Sequence, residues 1–187
     1  ILAGHFERGG LAARAAQYYI RGAELASARR DYLDAERWYT RALELSGSLP
    51  ISAQRGRGLA RFRLGQHAEA AEVLHSAALE AAREGNALAQ AELLLDESMV
   101  LDWLGEYQKA EERVVMAKAL DAEGHSPIIE ARLLLGLGRA FVRSSRQEQA
   151  APELARAAES AARLGDDGYE TRVIALLLLG YILPTLD

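Results

Sequence analysis

Residues 105–120, GEYQKAEERVVMAKAL, contain the pattern that decides the fold. A turn glycine is followed by Tyr107 two positions later, Ala110 five later, Val114 nine later and Ala117 twelve later. Alanines seven positions apart lie on one face of a helix, where their small side chains let a neighbouring helix approach to about 8–10 Å. The stretch therefore predicts the second helix of a close-packed helix hairpin.

The same pattern occurs three more times along the chain. The copies are Arg30, Tyr32, Ala35, Tyr39 and Ala42; Gly65, His67, Ala70, Leu74 and Ala77; and Ser145, Gln147, Ala150, Leu154 and Ala157. Their first alanines are separated by 35, 40 and 40 residues along the sequence. Fixed periods of this length are typical of solenoids. The sequence thus predicts an all-α fold in which antiparallel helix hairpins stack as a right-handed α-solenoid.

Apolar residues recur every three or four positions through most of the chain, which predicts helices throughout. We expect helices over 11–29, 32–46, 51–64, 67–84, 87–104, 107–123, 127–143, 147–164 and 169–183. Gly85, Gly124 and Gly165 suit the left-handed position that closes a helix. Pro152 implies that its helix either starts late or is kinked. We expect one domain over 1–187, with the end of a preceding helical segment at 1–15, repeats at about 16–50, 51–86, 87–126 and 127–168, and the first helix of a further repeat at 169–187.

Composition narrows the classes of function. The chain has 187 residues, a net charge of −5 and no cysteine. Nucleic-acid binding is not expected, because it requires a concentrated basic surface, and a thiolate metal site is excluded. The longest apolar run, Val173–Leu183, is far shorter than the roughly 20 residues that span a bilayer. We therefore expect a cytoplasmic protein. The first residue, Ile1, suggests a domain from a longer polypeptide.

These residues resemble the tetratricopeptide repeat (TPR) from about Ala16 to the end of the chain. The segment from Gly105 to Ala110 fits the family motif well, as does the pair Ala42-Leu43. The tryptophan of the family's first helix is absent, and its closing proline is matched at most by Pro50. These departures resemble the longer, degenerate repeats of large regulators.

A second resemblance covers residues 2–45. Leu2-Ala3-x-His5-Phe6-Glu7-x-Gly9-Gly10 leads into Arg14-Ala15-Ala16-x-Tyr18-Tyr19, and then into Tyr32-x-x-Ala35. This is similar to the junction at which the ATPase part of large multidomain bacterial signalling proteins, such as transcription regulators and some kinases, passes into a TPR array. The resemblance implies a regulatory context, with nucleotide binding outside these residues.

The sequence offers little for catalysis. The four histidines lack the spacing of a metal site, and no phosphate loop or nucleophile elbow is present. Solvated helix faces and capping explain the carboxylates better than general acid catalysis does; these are Asp96-Glu97, Asp102, Glu111-Glu112 and Asp166-Asp167. We expect no enzyme activity, no cofactor and no metal. The repeat register places Glu97 where an apolar residue normally faces the hairpin partner. Glu97 therefore either meets an arginine or indicates that the helix is rotated. We favour a rotated helix or partial exposure of Glu97.

The first helices of TPR hairpins line the concave side of the superhelix, which the family uses to hold peptides. The inward register predicts a partner-binding groove with several arginines, formed by Arg55, Phe62, Arg63, Met99, Asp102, Trp103, Arg132, Arg139, Arg143 and Arg172. Its protein or peptide partner should be acidic and partly apolar. Arginines that only maintain solubility are the simpler interpretation. The alternative function is an effector-sensing arm that controls an attached ATPase, kinase or DNA-binding domain, for which a pocket lined by aromatic and polar groups would be expected.

The last helix is apolar around much of its circumference, from Val173 to Leu183. Large exposed apolar surfaces usually find a partner. We expect a further helix to cover this one in the parent protein, and self-association through the same surface in its absence.

Overall fold

The computed structural model describes residues 2–121 and 126–185. Within them the chain forms ten α-helices: α1 (Leu2–Arg8), α2 (Ala12–Ala28), α3 (Tyr32–Ser46), α4 (Ile51–Arg63), α5 (His67–Arg83), α6 (Ala87–Trp103), α7 (Tyr107–Leu120), α8 (Pro127–Arg143), α9 (Gln147–Ala162) and α10 (Tyr169–Ile182). The predicted helices are confirmed to within one or two residues at each end, except at the end of α7. There the prediction runs to residue 123, and Gly124, the expected closing glycine, lies outside the described residues.

The chain divides into two compact units, Ile1–Glu84 and Gly85–Asp187. In unit 1, α2 packs with α3 and α4 with α5, while α1 packs on α2. In unit 2, α6 packs with α7 and α8 with α9, and α10 packs on α9 and α8. The helix hairpins predicted from the sequence are thus present in both units. The single domain over 1–187 stays a prediction.

The motif alanines lie in the cores of the hairpins, as predicted. The side chain of Ala110 is 8% exposed, and 0% exposure is found for Ala35, Ala42, Ala70, Ala77, Ala117, Ala150 and Ala157. Glycines of the facing helices make the contact closer still. A Cβ at Gly58 would lie 2.8 Å from Cγ of Leu74, and one at Gly138 would lie 2.5 Å from Cδ2 of Leu154. Both hairpins therefore depend on the absence of a side chain at these glycines.

The turn residue that begins each copy of the pattern adopts a left-handed conformation. The φ angle is 78° at Gly65 and at Gly105, 63° at Arg30 and 57° at Ser145. A Cβ atom disfavours left-handed φ angles, so the backbone is strained at Arg30 and Ser145. Glycine would adopt the same φ angles without this cost.

Two local predictions concern Pro152 and the pair Asp166-Asp167. Helix α9 continues from Gln147 to Ala162 with Pro152 inside it, so a late start for this helix is wrong. Asp166 and Asp167 lie in a short 3₁₀ helix, Gly165–Gly168, directly before α10 begins at Tyr169.

Candidate functional site

Helix α6 carries three buried carboxylates. The exposed fractions of Asp96, Glu97 and Asp102 are 3%, 3% and 9%. Burial of an ionised carboxylate is very costly unless a cation and hydrogen bonds compensate for it. The expectation of solvated carboxylates is therefore wrong for these three residues, and arginines on the neighbouring helices of unit 2 supply the compensation.

Glu97 faces α7, where Nε of Arg113 donates a hydrogen bond to Oε1 of Glu97 at 2.9 Å. The favoured interpretation of Glu97, a rotated or partly exposed helix, is wrong, and the alternative of a meeting with an arginine is confirmed. Asp96 faces α8, where Nη2 of Arg132 donates to its Oδ1 at 2.5 Å. These two pairs join α6 to a different helix on each side.

Asp102 accepts hydrogen bonds from two guanidinium groups of α8. Nε of Arg143 donates to Oδ1 at 3.0 Å, and Nη2 of Arg143 donates to Oδ2 at 3.2 Å. Arg139 also donates to Oδ2. Because two arginines share one carboxylate, the cluster of Asp102, Arg139 and Arg143 keeps one net positive charge.

The ionisation of this cluster follows from the same contacts. Burial acts to raise the pKa of Asp102, but the hydrogen bonds and positive charges of Arg143 and Arg139 outweigh burial and hold this pKa below its ordinary value. The hydrogen bond to Asp102 raises the pKa of Arg143 despite partial burial. The carboxylate of Asp102 and the guanidinium of Arg143 are thus both charged at neutral pH.

Two aromatic residues flank the turn between α6 and α7, close to Asp102 in the chain. Trp103, the residue after Asp102, is 66% exposed, and Tyr107 is 43% exposed. The guanidinium carbon of Arg143 lies 4.8 Å from the ring centroid of Tyr107, a cation–π distance. The side chain of Arg143 is 45% exposed, whereas that of Arg139 is 15% exposed. We call the group of Trp103, Tyr107, Arg139 and Arg143 the Trp103 surface.

The hollow beneath this surface is small. It lies between α6, α7 and α8, is lined in part by Ser98, Asp102 and Arg139, and has a volume of about 20 Å³. A cavity of this size holds about one water molecule. The Trp103 surface therefore suits the outside of a macromolecule better than an enclosed small ligand.

Unit 1 contains a larger, open depression of about 550 Å³. It is lined by Tyr19, Asp34, Glu36, Arg37, Trp38, Thr40, Arg41 and Glu44. Glu36 and Arg41 in this lining are already paired: Glu36 pairs with Arg61 at 3.0 Å, and Arg41 pairs with Glu7, which also accepts from Tyr19 Oη at 2.7 Å. This depression combines aromatic and polar groups and has the volume of a small-molecule site.

The residues predicted for one groove fall into both units. In unit 1, Phe62 is 8% exposed and its ring contacts that of His67, while the guanidinium of Arg63 stacks on Phe62 at 5.6 Å. Phe62 therefore belongs to the packing of unit 1 and not to an open surface. Arg55 is half-buried.

In unit 2, Met99 is half-buried and Arg172 is exposed. The structure brings Asp102, Arg139 and Arg143 together. Trp103 directly follows Asp102 in the chain, and Arg132 is paired with the buried Asp96. Sequence reasoning missed Tyr107 as part of this surface and Arg113 as the partner of Glu97. The repeat pattern includes Tyr107 but says nothing of its surface contacts, and no local pattern marks Arg113.

Within residues 2–121 and 126–185 no cluster of histidine and carboxylate side chains has the arrangement of a metal site. Over the same residues, no helix has the length and apolar character needed to cross a membrane.

Comparisons with known proteins agree on the fold. No protein-family model matches the chain, and no curated protein matches it. The chain resembles the solved structure of MamA, residues 41 to the end, from Desulfovibrio magneticus RS-1, with a TM-score of 0.62 and 20% identity over 88% of this chain and 93% of that one. It also resembles YrrB, described as a TPR protein with an unusual peptide-binding site, with a TM-score of 0.53 and 19% identity over 94% of this chain and 90% of that one. The chain thus has an all-α fold of TPR-like helix hairpins.

Proposed function

We propose that this chain is a non-catalytic protein-interaction module, and that the Trp103 surface binds an acidic, partly apolar segment of a partner protein. The observation that carries the proposal is the position of Trp103, which is 66% exposed and directly follows Asp102, the carboxylate of a partly exposed cluster with one net positive charge. Tryptophan, tyrosine and arginine are the residues that contribute most to binding at protein interfaces.

The charge of the cluster indicates the chemistry of the partner. Asp102 balances only one of the two guanidiniums, so a carboxylate from a partner would balance the other. The half-exposed side chain of Arg143 is the group that such a carboxylate can reach. An aliphatic or aromatic side chain next to that carboxylate would cover Trp103. The other residues predicted from the repeat register, Arg55, Phe62, Arg63, Met99, Arg132 and Arg172, stay predictions as partner contacts.

The setting of the module is also part of the proposal. The resemblance of residues 2–45 to the junction of bacterial signalling ATPases and kinases with TPR arrays favours a place within a larger cytoplasmic signalling protein. Expression of the full-length gene product, followed by identification of its domains by mass spectrometry, tests this setting. An adjoining domain with no signalling role would contradict it.

The test of binding uses labelled peptides of equal length that carry the same leucine and phenylalanine residues and either acidic or basic flanks, with fluorescence anisotropy as the readout. We expect the acidic peptides to bind more tightly, and their affinity to fall as salt rises from about 0.05 M to about 0.5 M, because partly exposed charge pairs are screened. Equal affinity for acidic and basic peptides would overturn the proposal.

Two variants separate the roles of the aromatic and the charged group. Trp103→Ala should lower affinity by about tenfold to a hundredfold for every bound peptide. Arg143→Gln should remove the preference for acidic peptides, while Arg139 still accompanies Asp102. Tyr169→Ala is the matched control, because Tyr169 is an aromatic residue of unit 2 with 68% exposure; it should bind like the wild type.

The depression in unit 1 supports a second candidate function, the sensing of a small effector by a regulatory arm. A ligand with both an aromatic ring and polar groups would match Tyr19, Trp38 and the charged residues that line it. A screen of small metabolites by thermal shift tests this candidate. We expect a stabilising compound whose effect is lost in Trp38→Leu and retained in Trp103→Ala.

A further inference from the structure

Unit 1 contains a second open depression, with a volume of about 410 Å³, between the turn from α3 to α4 and helix α5. Its lining comes from the end of α3, from the first turns of α4 and from one side of α5. On α5 the lining residues Glu72, Ser76 and Glu80 follow one another at intervals of four positions, so they form one row along the helix. We call this hollow the α5 depression.

Two carboxylates belong to this row. Glu72 is exposed and Glu80 is half-buried. Oε2 of Glu80 accepts a hydrogen bond from Nε2 of Gln54 at 2.7 Å. A carboxylate has about four acceptor positions, so Glu80 can also accept from a bound ligand. Because a helix rises 1.5 Å per residue, Glu72 and Glu80 lie about 12 Å apart along α5.

The end of α3 adds partial negative charge to the same hollow. Leu43, Gly47 and Ser48 line the depression, and Gly47 closes α3 with a φ angle of 74°. The last carbonyls of a helix carry a partial negative charge that a basic side chain in the last turn stabilises. The last turn of α3 carries no basic side chain and contains Glu44 instead. A bound cation would compensate this charge.

Arg57 also lines the depression, but its guanidinium is turned towards α3. Nε of Arg57 lies 3.7 Å from Oε1 of Glu36 and donates a hydrogen bond to Oγ1 of Thr40 at 3.1 Å. The side chain of Arg57 is 14% exposed. The charge that the depression presents to a ligand is therefore that of Glu72 and Glu80.

The rest of the contact surface is aliphatic. Leu43, Leu49 and Val73 line the depression. Leu49 is 4% exposed, and Leu43 and Val73 are half-buried. Burial of methylene groups against these side chains is favourable. A matching ligand therefore carries positive charge on a methylene chain.

We propose that the α5 depression binds primary alkylammonium groups joined by a methylene chain, with one ammonium at Glu72 and another at Glu80. Spermidine, a linear triamine, has a comparable distance between its end nitrogens. A single metal ion does not suit the site, because ligand oxygens lie about 2.0–2.6 Å from such an ion and the two carboxylates are too far apart to share it.

Two sources can supply these ammonium groups, a free aliphatic polyamine or a pair of lysine side chains on a peptide. Isothermal titration calorimetry of the intact chain compares spermidine, butylamine and a peptide with two lysines four positions apart. We expect saturable binding of spermidine, at least tenfold tighter than that of butylamine, because butylamine reaches only one carboxylate. Tighter binding of the peptide than of spermidine would assign the same chemistry to a lysine-bearing partner. Saturable binding of neither would overturn the inference.

Substitution of the two carboxylates localises the site. Glu72→Gln and Glu80→Gln should each weaken spermidine binding by about threefold to tenfold, since each removes one partly exposed charge contact. Glutamine at position 80 still offers an oxygen to Gln54, and circular dichroism checks that both variants remain folded. Glu69→Gln is the matched control, because Glu69 is an exposed glutamate of α5 outside the lining; it should bind spermidine like the wild type.

An equal loss of affinity in Glu69→Gln would overturn the inference, since spermidine would then respond only to the net negative charge of the chain. Trp103→Ala separates the inference from the proposed function. This variant should bind spermidine as the wild type does even if it no longer binds acidic peptides.

Discussion

Arg113 of α7 and Glu97 of α6 form a hydrogen-bonded ion pair at 2.9 Å, at the place where the next hairpin has Leu137 on its first helix. The side chain of Glu97 is 4% exposed and that of Arg113 is 19% exposed. One hairpin therefore uses a nearly buried ion pair where its neighbour in the sequence uses an apolar contact.

Removal of one partner of this pair should destabilise unit 2. We expect Arg113→Met to lower the free energy of unfolding by about 3 kcal/mol, because the buried carboxylate of Glu97 loses its hydrogen bond and ion pair with the Arg113 guanidinium. The double variant Glu97→Leu/Arg113→Met should lie within about 1 kcal/mol of the wild type or above it, since apolar replacement of a whole buried pair is often neutral or stabilising. Urea unfolding measures both. A double variant as unstable as the single one would contradict this account.

Two glycines of unit 2 should respond to alanine in opposite directions. Gly138→Ala should destabilise by about 1–3 kcal/mol, because the new Cβ meets Leu154, a side chain with 0% exposure that has no room to move. Gly180→Ala places its Cβ in open space on α10 and should stabilise by about 1 kcal/mol through helix propensity. Thermal unfolding of the two variants side by side is the measurement, and equal shifts would refute the packing argument.

The turn residues give a test of backbone strain alone. Ser145→Gly should stabilise by about 0.5–1 kcal/mol, because glycine adopts the left-handed conformation at no steric cost. Gly105→Ser should destabilise by about 1 kcal/mol, although its Cβ would have no neighbour within 4 Å. Denaturant midpoints of the two variants check the prediction. A Gly105→Ser midpoint at or above that of the wild type would count against strain.

The stability contributed by Asp102 should depend on pH. Its folded-state pKa is lowered, so the contribution is complete above the unfolded pKa of about 3.9 and is lost as the pH falls through the folded pKa. At pH 7, Asp102→Asn should therefore be less stable than the wild type by about 1–3 kcal/mol. That difference should shrink below about pH 4.

Urea unfolding between neutral and acid pH measures this difference. Glu112→Gln is the control, since Glu112 is an exposed carboxylate of the same unit, and it should show little change at any pH. A difference between Asp102→Asn and the wild type that stays constant with pH would rule out the ion cluster as its cause.

The backbone and the hairpin contacts could be predicted because they depend on local patterns. Periodicity gave the helices, and the alanine spacing identified buried positions such as Ala70 and Ala157. The partners of the buried carboxylates could not be predicted, because Arg139 lies 37 residues from Asp102 and Arg113 lies 16 from Glu97. Such pairs depend on which side of α6 each neighbouring helix covers. Charge reversal of Arg139 or Arg143 would therefore disturb folding as well as binding, because both arginines contact the buried Asp102.

The ion pairs between α6 and α8 limit how freely one repeat can replace another. Deletion of one 40-residue period, residues 127–166, would join α7 to α10 in the correct helical phase. Arg172 would then replace Arg132 opposite Asp96, but Leu179 and Leu183 would replace Arg139 and Arg143 opposite Asp102. A variant of this protein that is shortened by one repeat must therefore also replace Asp102. The repeats share a backbone geometry, but the side chains that meet between successive repeats differ.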